Sequence, residues 1–286
     1  MKREDLNPTG SHKDRGAVEQ VLGCLRRGQR VAVISSSGNA ALAAAARGAA
    51  NGVTVVALLA PRTEQAKINA IRDAGGRVVV TNKPINFTIR LSRVCGWPDL
   101  RPSQSADALR GFAGLGHELA AELVDGVSLF GYASSGTTYE AIATALAKDQ
   151  RRLPLHPVQA GLVNGLSGEF GRPGDGHRSI VGDLGVKVTS RATTVVRQVR
   201  DSGGEAWWVD DAAITEAGNA LRQDGFAVAP ECWAALAGLR LAAREAGTRS
   251  ACLLLTGRAL AAVTAEDGPR PLETFADVLH SLADLR

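Results

Sequence analysis

The sequence predicts an α/β protein built on parallel sheets. Short runs rich in β-branched residues alternate with amphipathic stretches rich in Ala and Leu, a pattern typical of strand–helix–strand units. The alternation occurs in two series, one on each side of a less regular segment at residues 82–110. The chain has 286 residues, of which 45% are hydrophobic, so it can form two lobes with separate cores. This composition excludes disorder as the main state.

The first series predicts strands over 31–35, 53–59 and 77–81, with helices over 40–50 and 65–74. The second series predicts strands over 127–132, 156–160, 206–209 and 251–256, with helices over 139–148, 212–223 and 234–245. Residues 82–110 and 161–185 are predicted to be irregular, and long loops often border a functional site. We expect a small lobe over 17–112 and a large lobe that combines 1–16 with 113–286.

Charge and cysteine usage exclude several classes of function. The net charge is only +4 and comes from 27 Arg and 6 Lys that are dispersed along the chain, so nucleic-acid binding is not expected. No stretch approaches the roughly 18 apolar residues of a membrane-spanning helix, and the first residues lack an apolar export region. We therefore expect a cytoplasmic protein without membrane contact. The four cysteines form no CxxC pair and the histidines are scattered, so neither a disulfide framework nor a metal site is predicted.

A first loop that could carry chemistry lies at residues 7–16, Asn-Pro-Thr-Gly-Ser-His-Lys-Asp-Arg-Gly. Its first four residues are typical of a turn, Ser11 is suited to cap the following helix, and Asp14 has the spacing of a capping-box acid. Lys13 then lies in the first helical turn, where the helix dipole favours a neutral amine. A neutral amine can react with an aldehyde. From the spacing alone, a lysine that extends into solvent is an equally good interpretation.

Two further loops each join a predicted strand to a helix. In the first, Ser36, Ser37, Gly38 and Asn39 form a turn whose backbone N–H groups can bind a carboxylate or a phosphate. The other contains Ser134, Ser135, Gly136, Thr137 and Thr138. This loop has donors for a phosphate but matches neither GxxxxGK(S/T) nor GxGxxG, so ATPase and dinucleotide-binding functions are not favoured. Taken singly, each loop is also explained as an ordinary capped helix start.

In this order, the loops resemble those of the pyridoxal-phosphate enzymes of the tryptophan synthase β-subunit type, also called fold type II. Residues 7–16 resemble the family's Schiff-base lysine motif and are closest to its threonine synthase branch. Residues 35–39 are similar to its Ser-Ser-Gly-Asn loop, and Leu255-Thr256-Gly257-Arg258 resembles the Thr-Gly segment that faces the pyridine nitrogen. The resemblance implies a two-lobe fold with pyridoxal 5'-phosphate as cofactor.

The resemblance also implies a role for each matching residue of the first two loops. Lys13 forms the Schiff base with the cofactor and later moves protons at the α-carbon of the substrate. Asn39 hydrogen-bonds the phenolic oxygen of the cofactor ring. The substrate, an amino acid, is bound through its carboxylate by Ser36, Ser37 and Gly38.

For the remaining loops, the resemblance places the cofactor phosphate at residues 134–138 and the ring nitrogen at Thr256. A hydroxyl at that point leaves the nitrogen largely unprotonated, which favours elimination and replacement over transamination. The implied activity is that of a lyase or synthase acting on an amino acid with a leaving group at the β- or γ-carbon. A threonine or serine dehydratase is an alternative. A protein that binds the cofactor or regulates a partner without turnover is another.

Three departures from the family pattern qualify this expectation. The family has some tens of residues before the lysine motif, so we expect a second copy of the chain or a partner subunit to cover that side here. The phosphate loop is closer to that of cysteine synthases than to that of threonine synthases. Residues 229–233, Ala-Pro-Glu-Cys-Trp, replace the family's Glu-Pro-Ser-Gly/Ser-Ala stretch near the ring and could reshape or disable the pocket.

Two other residues have a functional and a structural interpretation. Glu118 lies on a segment similar to the family helix that leads to the phosphate strand. A solvated helix carboxylate is the favoured interpretation over a contact with the cofactor. His12 could stack near the cofactor, but a structural histidine with satisfied hydrogen bonds is favoured.

Overall fold

The computed structural model describes residues 1–36, 38–182, 191–259 and 269–285. The strands in chain order are β1 (Lys2–Arg3), β2 (Val31–Ser35), β3 (Thr54–Leu59), β4 (Arg77–Val80), β5 (Ser128–Tyr132), β6 (Leu155–Ala160), β7 (Trp207–Val209) and β8 (Ala251–Leu255). The helices are α1 (Lys13–Arg26), α2 (Asn39–Ala49), α3 (Gln65–Asp73), α4 (Pro84–Cys95), α5 (Ala106–Glu122), α6 (Thr137–Lys148), α7 (Ala192–Asp201), α8 (Asp211–Gln223), α9 (Pro230–Glu245) and α10 (Phe275–Ser281).

The described residues fall into two compact units. The five-strand unit contains residues 1–12, 112–182 and 191–259, and its sheet has the order β1-β8-β5-β6-β7. The three-strand unit contains residues 13–36, 38–111 and 269–285, and its sheet has the order β2-β3-β4. Every pairing of neighbouring strands is parallel. The predicted α/β class with parallel sheets is therefore confirmed.

The central strands are nearly continuous apolar runs because both faces of each sheet are covered. In β3, Val55 to Leu59 are all buried, and β6 is buried along its whole length. On one face of the five-strand sheet, α9 lies close to β6 at Gly238, where a Cβ would meet the side chain of Val158. Glycine at this position permits the close helix–sheet contact, since any larger residue would push the helix away.

The structure differs from the expected lobe division at the C-terminal end. The sequence places all residues from 113 to 286 in the large lobe, whereas residues 269–285 belong to the three-strand unit. The reason is apolar burial: Phe275, Val278 and Leu282 pack in the same core as Val33 and Val56 of the small sheet. Residues 13–16, expected in the large lobe, also belong to the three-strand unit.

The expectation that residues 82–110 are irregular is wrong, because α4 and the start of α5 lie there. Local signals for α4 are present in the sequence. Pro84 occupies the start of the helix, where its missing N–H costs nothing, and Gly96 ends it in the left-handed conformation with φ 70°. Apolar residues at 85, 87, 89 and 91 alternate with polar ones, so a simple periodicity count does not favour a helix here. The two-residue strand β1 and helices α7 and α10 were also not predicted.

A buried histidine gives the five-strand unit a pH-dependent stability. His156 is 6% exposed and stacks on Phe130 at 4.4 Å between ring centroids. Its Nδ1 accepts hydrogen bonds from the indole N–H of Trp207 at 3.1 Å and from the backbone N–H of Glu205 at 3.3 Å. Burial lowers the pKa of His156 from 6.5 to about 4, because the imidazolium would lose its hydration.

The unfolding free energy is therefore expected to fall as the pH drops below 6.5. Above pH 6.5 the residue is neutral in both states; between pH 6.5 and about 4 only the unfolded chain binds the proton. The loss amounts to about 3 kcal/mol at most, from 1.36 kcal/mol per pKa unit. Urea unfolding from pH 7 to 4.5 measures it, with His156→Asn as the non-titrating control. An identical pH profile for the two proteins would contradict the assignment.

Candidate functional site

Lys13, the predicted reactive lysine, is the first residue of α1 in the three-strand unit. Its side chain is half-buried, and Asp14 lies in the same helical turn. Its predicted place in the first turn of a helix is therefore observed. Just before it in the chain, Ser11 pairs with Gly257 in an isolated antiparallel bridge of the five-strand unit.

In the same unit, the small-residue loop follows β2 and precedes α2. Gly38 caps α2 with an extended backbone, and Asn39 is the first helical residue. Among the described residues, no side chain caps this helix, so its first N–H groups face the loop. The backbone N–H of Gly38 donates to Ser36 Oγ at 3.4 Å. Ser37, predicted to bind the substrate carboxylate, lies outside the described residues.

In the five-strand unit, the hydroxyl-rich loop joins β5 to α6. Gly136 adopts the left-handed conformation with φ 78°, and a Cβ there would lie 2.9 Å from Val195 Cγ2. Ser135 and Thr137 hydroxyls lie 2.9 Å apart. Within the described part of the chain, no side chain caps α6, which leaves the first N–H groups of a twelve-residue helix available to an anion. Thr138 lies in the same first turn.

Thr256 lies at the same edge of the five-strand sheet as this loop. Strands β5 and β8 are parallel neighbours with Phe130 opposite Leu253, and they end two residues later, at Tyr132 and Leu255. Parallel sheets bind ligands at the carboxyl ends of their strands. The structure thus brings together the hydroxyl-rich loop and Thr256, which are more than a hundred positions apart in the chain.

Two neighbours of Thr256 were not identified from the sequence as its contacts. His12 donates to the Thr256 carbonyl oxygen from its backbone N–H and lies with its Nδ1 at 3.0 Å from the same oxygen. The carbonyl can only accept, so Nδ1 carries the ring proton. His12 is buried beside Phe112, at 5.6 Å between ring centroids, in agreement with a structural histidine. The sequence contains one indication that His12 lies near the site: it directly precedes Lys13.

The second neighbour is Cys232, in the first turn of α9. Its Sγ lies 3.8 Å from Thr256 Oγ1 and 3.3 Å from the Gly257 carbonyl oxygen. Within the described residues, this sulfur is the hydrogen-bond partner of the Thr256 hydroxyl, which is buried in a residue that is 3% exposed. A buried hydroxyl with only a long sulfur contact has hydrogen-bonding capacity left for a ligand.

The structure also shows the surroundings of Glu118 and of the altered segment at residues 229–233. Glu118 pairs with Lys2 at 2.7 Å, and its side chain is 42% exposed, so the surface interpretation of this carboxylate is favoured. Glu231 is buried in the first turn of α9, where the helix dipole favours a carboxylate. Trp233 packs over Gly218 of α8. Part of the extra bulk of residues 229–233 therefore lies between α8 and α9.

The chain matches a known protein family. A family model described as "Pyridoxal-phosphate dependent enzyme" matches residues 1–257. This chain belongs to that family. Its cofactor is accordingly pyridoxal 5'-phosphate, as the resemblance of the lysine motif implied.

The pyridoxal-phosphate-dependent enzymes similar to this chain include threonine synthases. The enzyme of Mycobacterium leprae (strain TN) is 48% identical over 59 residues, which are 21% of this chain and 16% of the relative. That of Methanosarcina acetivorans is 27% identical over 264 residues, 84% of this chain and 64% of the relative. The chain thus spans less than two thirds of the length of either relative.

A solved structure shows that the fold is shared. The processed form of threonine deaminase isoform 2 from Solanum lycopersicum superposes with a TM-score of 0.77 at 19% identity, over 99% of this chain and 77% of that chain. The two-lobe fold type II architecture expected from the sequence is confirmed at the level of the fold.

The described residues suit the cofactor in both units. The five-strand unit combines an uncapped helix N-terminus, a left-handed glycine and the buried Thr256 hydroxyl at one sheet edge. In the three-strand unit, Lys13 and Asn39, which the resemblance assigns to the cofactor, are each the first residue of a helix. No helix in the described part of the chain is long and apolar enough to cross a membrane. No group of three His, Cys, Asp or Glu side chains among the described residues could hold a metal ion.

Proposed function

We propose that this chain catalyses elimination or replacement at the β- or γ-carbon of an amino acid, in the manner of a threonine synthase. The observation that supports the proposal is Thr256: a buried hydroxyl, not a carboxylate, lies at the sheet edge that also carries the hydroxyl-rich loop at residues 134–138. The 27% identity to a threonine synthase over 84% of this chain also supports it.

In this proposal the chain holds the cofactor at three points. The N–H groups and hydroxyls of residues 134–138 bind the phosphate, Thr256 donates to the ring nitrogen, and Asn39 donates to the phenolic oxygen. When bound, pyridoxal 5'-phosphate supplies an electron sink for the negative charge that develops at the substrate α-carbon. A hydroxyl partner keeps the ring less electron-poor than a carboxylate would.

The remaining roles belong to the three-strand unit. Lys13 supplies the amine that attaches the cofactor and then moves a proton at the α-carbon as general base and acid. Ser36, Ser37 and Gly38 bind the substrate carboxylate with backbone N–H groups at the start of α2, where the helix dipole favours an anion. Holding the carboxylate orients the α-carbon relative to the lysine.

A substrate screen tests the proposed reaction. The protein with pyridoxal 5'-phosphate is incubated with serine, threonine, homoserine and their O-acetyl and O-phospho derivatives, and absorbance and mass spectrometry follow cofactor and products. The proposal predicts loss of the β- or γ-substituent from at least one derivative. Formation of a keto acid from unmodified serine or threonine would instead identify a dehydratase. A changed configuration at the α-carbon as the sole product would contradict the proposal.

Absence of any product would favour the non-catalytic alternative, for which the altered segment at residues 229–233 is the motivating observation. The dimer or partner subunit and the cytoplasmic location stay predictions.

A further inference from the structure

Gln159 is a fully buried polar side chain that has no role in the function proposed so far. It lies near the end of β6, and its exposed fraction is 0%. A buried amide costs free energy unless its donors and acceptors find partners, so its partners indicate what it stabilises. The three hydrogen bonds described for its side chain all lie within the five-strand unit.

The amide of Gln159 bridges two loops. Its Nε2 donates to the carbonyl oxygen of Ala133 at 3.2 Å. Its Oε1 accepts from the backbone N–H groups of Leu166 and Ser167 at 2.8 and 2.9 Å. A carbonyl oxygen can only accept and a backbone N–H can only donate, so these partners leave one orientation for the amide. The bridge therefore requires a side chain that donates at one end and accepts at the other.

The donor end of the amide holds the residue that directly precedes the hydroxyl-rich loop. Ala133 follows β5, comes before Ser134 and is 3% exposed. Its backbone N–H donates to the Val158 carbonyl oxygen at 2.8 Å, which continues the pairing of β5 with β6. Its own carbonyl oxygen accepts from Gln159. Both backbone groups of Ala133 are thus bound to β6, one by the main chain and one by a side chain.

The acceptor end holds the loop that follows β6. The two N–H groups that it binds lie at the start of a short 3-10 helix over residues 167–170. Leu166 and Ala133 also pack in one apolar cluster. A single buried amide therefore joins the loop after β6 to the residue that leads into the hydroxyl-rich loop.

We propose that Gln159 is a positioning residue for the cofactor phosphate, because its hold on the Ala133 carbonyl sets where the donors of residues 134–138 lie. This inference rests on the proposed role of that loop in binding the phosphate. Without the amide, the buried carbonyl of Ala133 and the two N–H groups after β6 lose these partners. The start of the hydroxyl-rich loop then moves to recover a hydrogen bond, and its donors leave the geometry that an anion needs.

Two substitutions separate the donor end from the acceptor end. Gln159→Glu keeps the shape and accepts from both N–H groups, but its carboxylate has no proton for Ala133. Gln159→Met has nearly the same length, makes neither contact and carries no charge. Titration with pyridoxal 5'-phosphate measures the affinity of each variant, and the phosphorus-31 resonance reports on the bound phosphate. We expect both variants to displace this resonance from its wild-type position and to bind at least about tenfold more weakly, equivalent to one hydrogen bond to a charged group.

Gln20→Glu is the matched control in the other unit. Gln20 is a buried glutamine of α1, and its Nε2 donates to the Leu100 carbonyl oxygen at 2.8 Å. This substitution also places a carboxylate against a buried backbone carbonyl oxygen. Urea unfolding should therefore show a loss of stability for Gln20→Glu and for Gln159→Glu, whereas only Gln159→Glu should displace the phosphorus resonance.

The variant Gly136→Ala distinguishes failure of this inference from failure of the proposed phosphate site. If Gly136→Ala displaces the phosphorus resonance and the Gln159 variants do not, Gln159 has only a structural role and the inference is wrong. If none of these variants displaces it, residues 134–138 do not bind the phosphate, and the proposed site and the inference both fail.

The neutral variant excludes an effect of charge. A displaced resonance in Gln159→Glu but not in Gln159→Met would show that the new carboxylate repels the phosphate, and this result also overturns the inference. If Gln159→Met does not fold, Gln159→Asn takes its place, since asparagine is a neutral amide that is one methylene shorter and cannot span both contacts. The substrate screen reports on the proposed reaction independently of the phosphorus resonance.

Discussion

Replacing Lys13 with alanine is expected to remove the visible absorbance band of the lysine-bound cofactor and to lower turnover by about 100- to 10,000-fold, the range of one general acid–base group. The loss follows because Lys13 supplies both the attaching amine and the group that moves the α-proton in the proposed mechanism. The fold should survive, because Lys13 is the half-buried first residue of α1 and alanine is a good helix former. Absorbance spectra and initial rates measure the effect.

Lys148→Ala is the matched control, since Lys148 is an exposed lysine in the last turn of α6. It should leave both the band and the rate unchanged. Thermal unfolding of the two variants shows whether either has lost its structure. A Lys13→Ala protein that retains the visible band would assign the attachment to another amine and remove the basis of the proposed mechanism.

A substitution at Gly136 is expected to have the second-largest effect. Alanine there must adopt φ near 78°, which costs about 1–2 kcal/mol. Its Cβ would also lie 2.9 Å from Val195 Cγ2, and overpacking of this kind costs about 1–3 kcal/mol. The loop at residues 134–138, which the proposed function assigns to the cofactor phosphate, must shift to relieve this contact. We therefore expect at least about tenfold weaker cofactor binding, equivalent to one charge-assisted hydrogen bond.

The control variant Gly126→Ala separates the cost of a left-handed alanine backbone from the cost of the contact with Val195. Gly126 is left-handed with φ 85°, but a Cβ there meets nothing within 4 Å. Urea unfolding should therefore show only the backbone cost for Gly126→Ala and a larger loss for Gly136→Ala. In a Val195→Ala background the difference between the two should shrink. Equal losses, with unchanged cofactor affinity, would contradict a phosphate role for this loop.

Local sequence patterns were sufficient for most of the strands and for the helices between them. The apolar runs at 31–35 and 53–59 became β2 and β3 within one residue, because a strand buried on both faces must be apolar along its whole length. Helix α4 was not predicted because its apolar residues at 85, 87, 89 and 91 alternate with polar ones, and α10 was not predicted because its pattern covers only seven residues. The packing of α10 against the three-strand sheet depends on contacts with residues about 200 positions away in the chain.

The contacts of Thr256 could not be predicted from local sequence patterns. The lysine motif, the serine loop and the Thr-Gly segment each have a local signature, and their order alone identified the family and its cofactor. Local interactions determine such features, since turns, caps and apolar periodicity involve neighbouring residues. In contrast, only the folded chain brings Cys232 and His12 to Thr256, across 24 and 244 positions. Parallel strand pairing and helix packing create those contacts, and neither is encoded by residues that are adjacent in sequence.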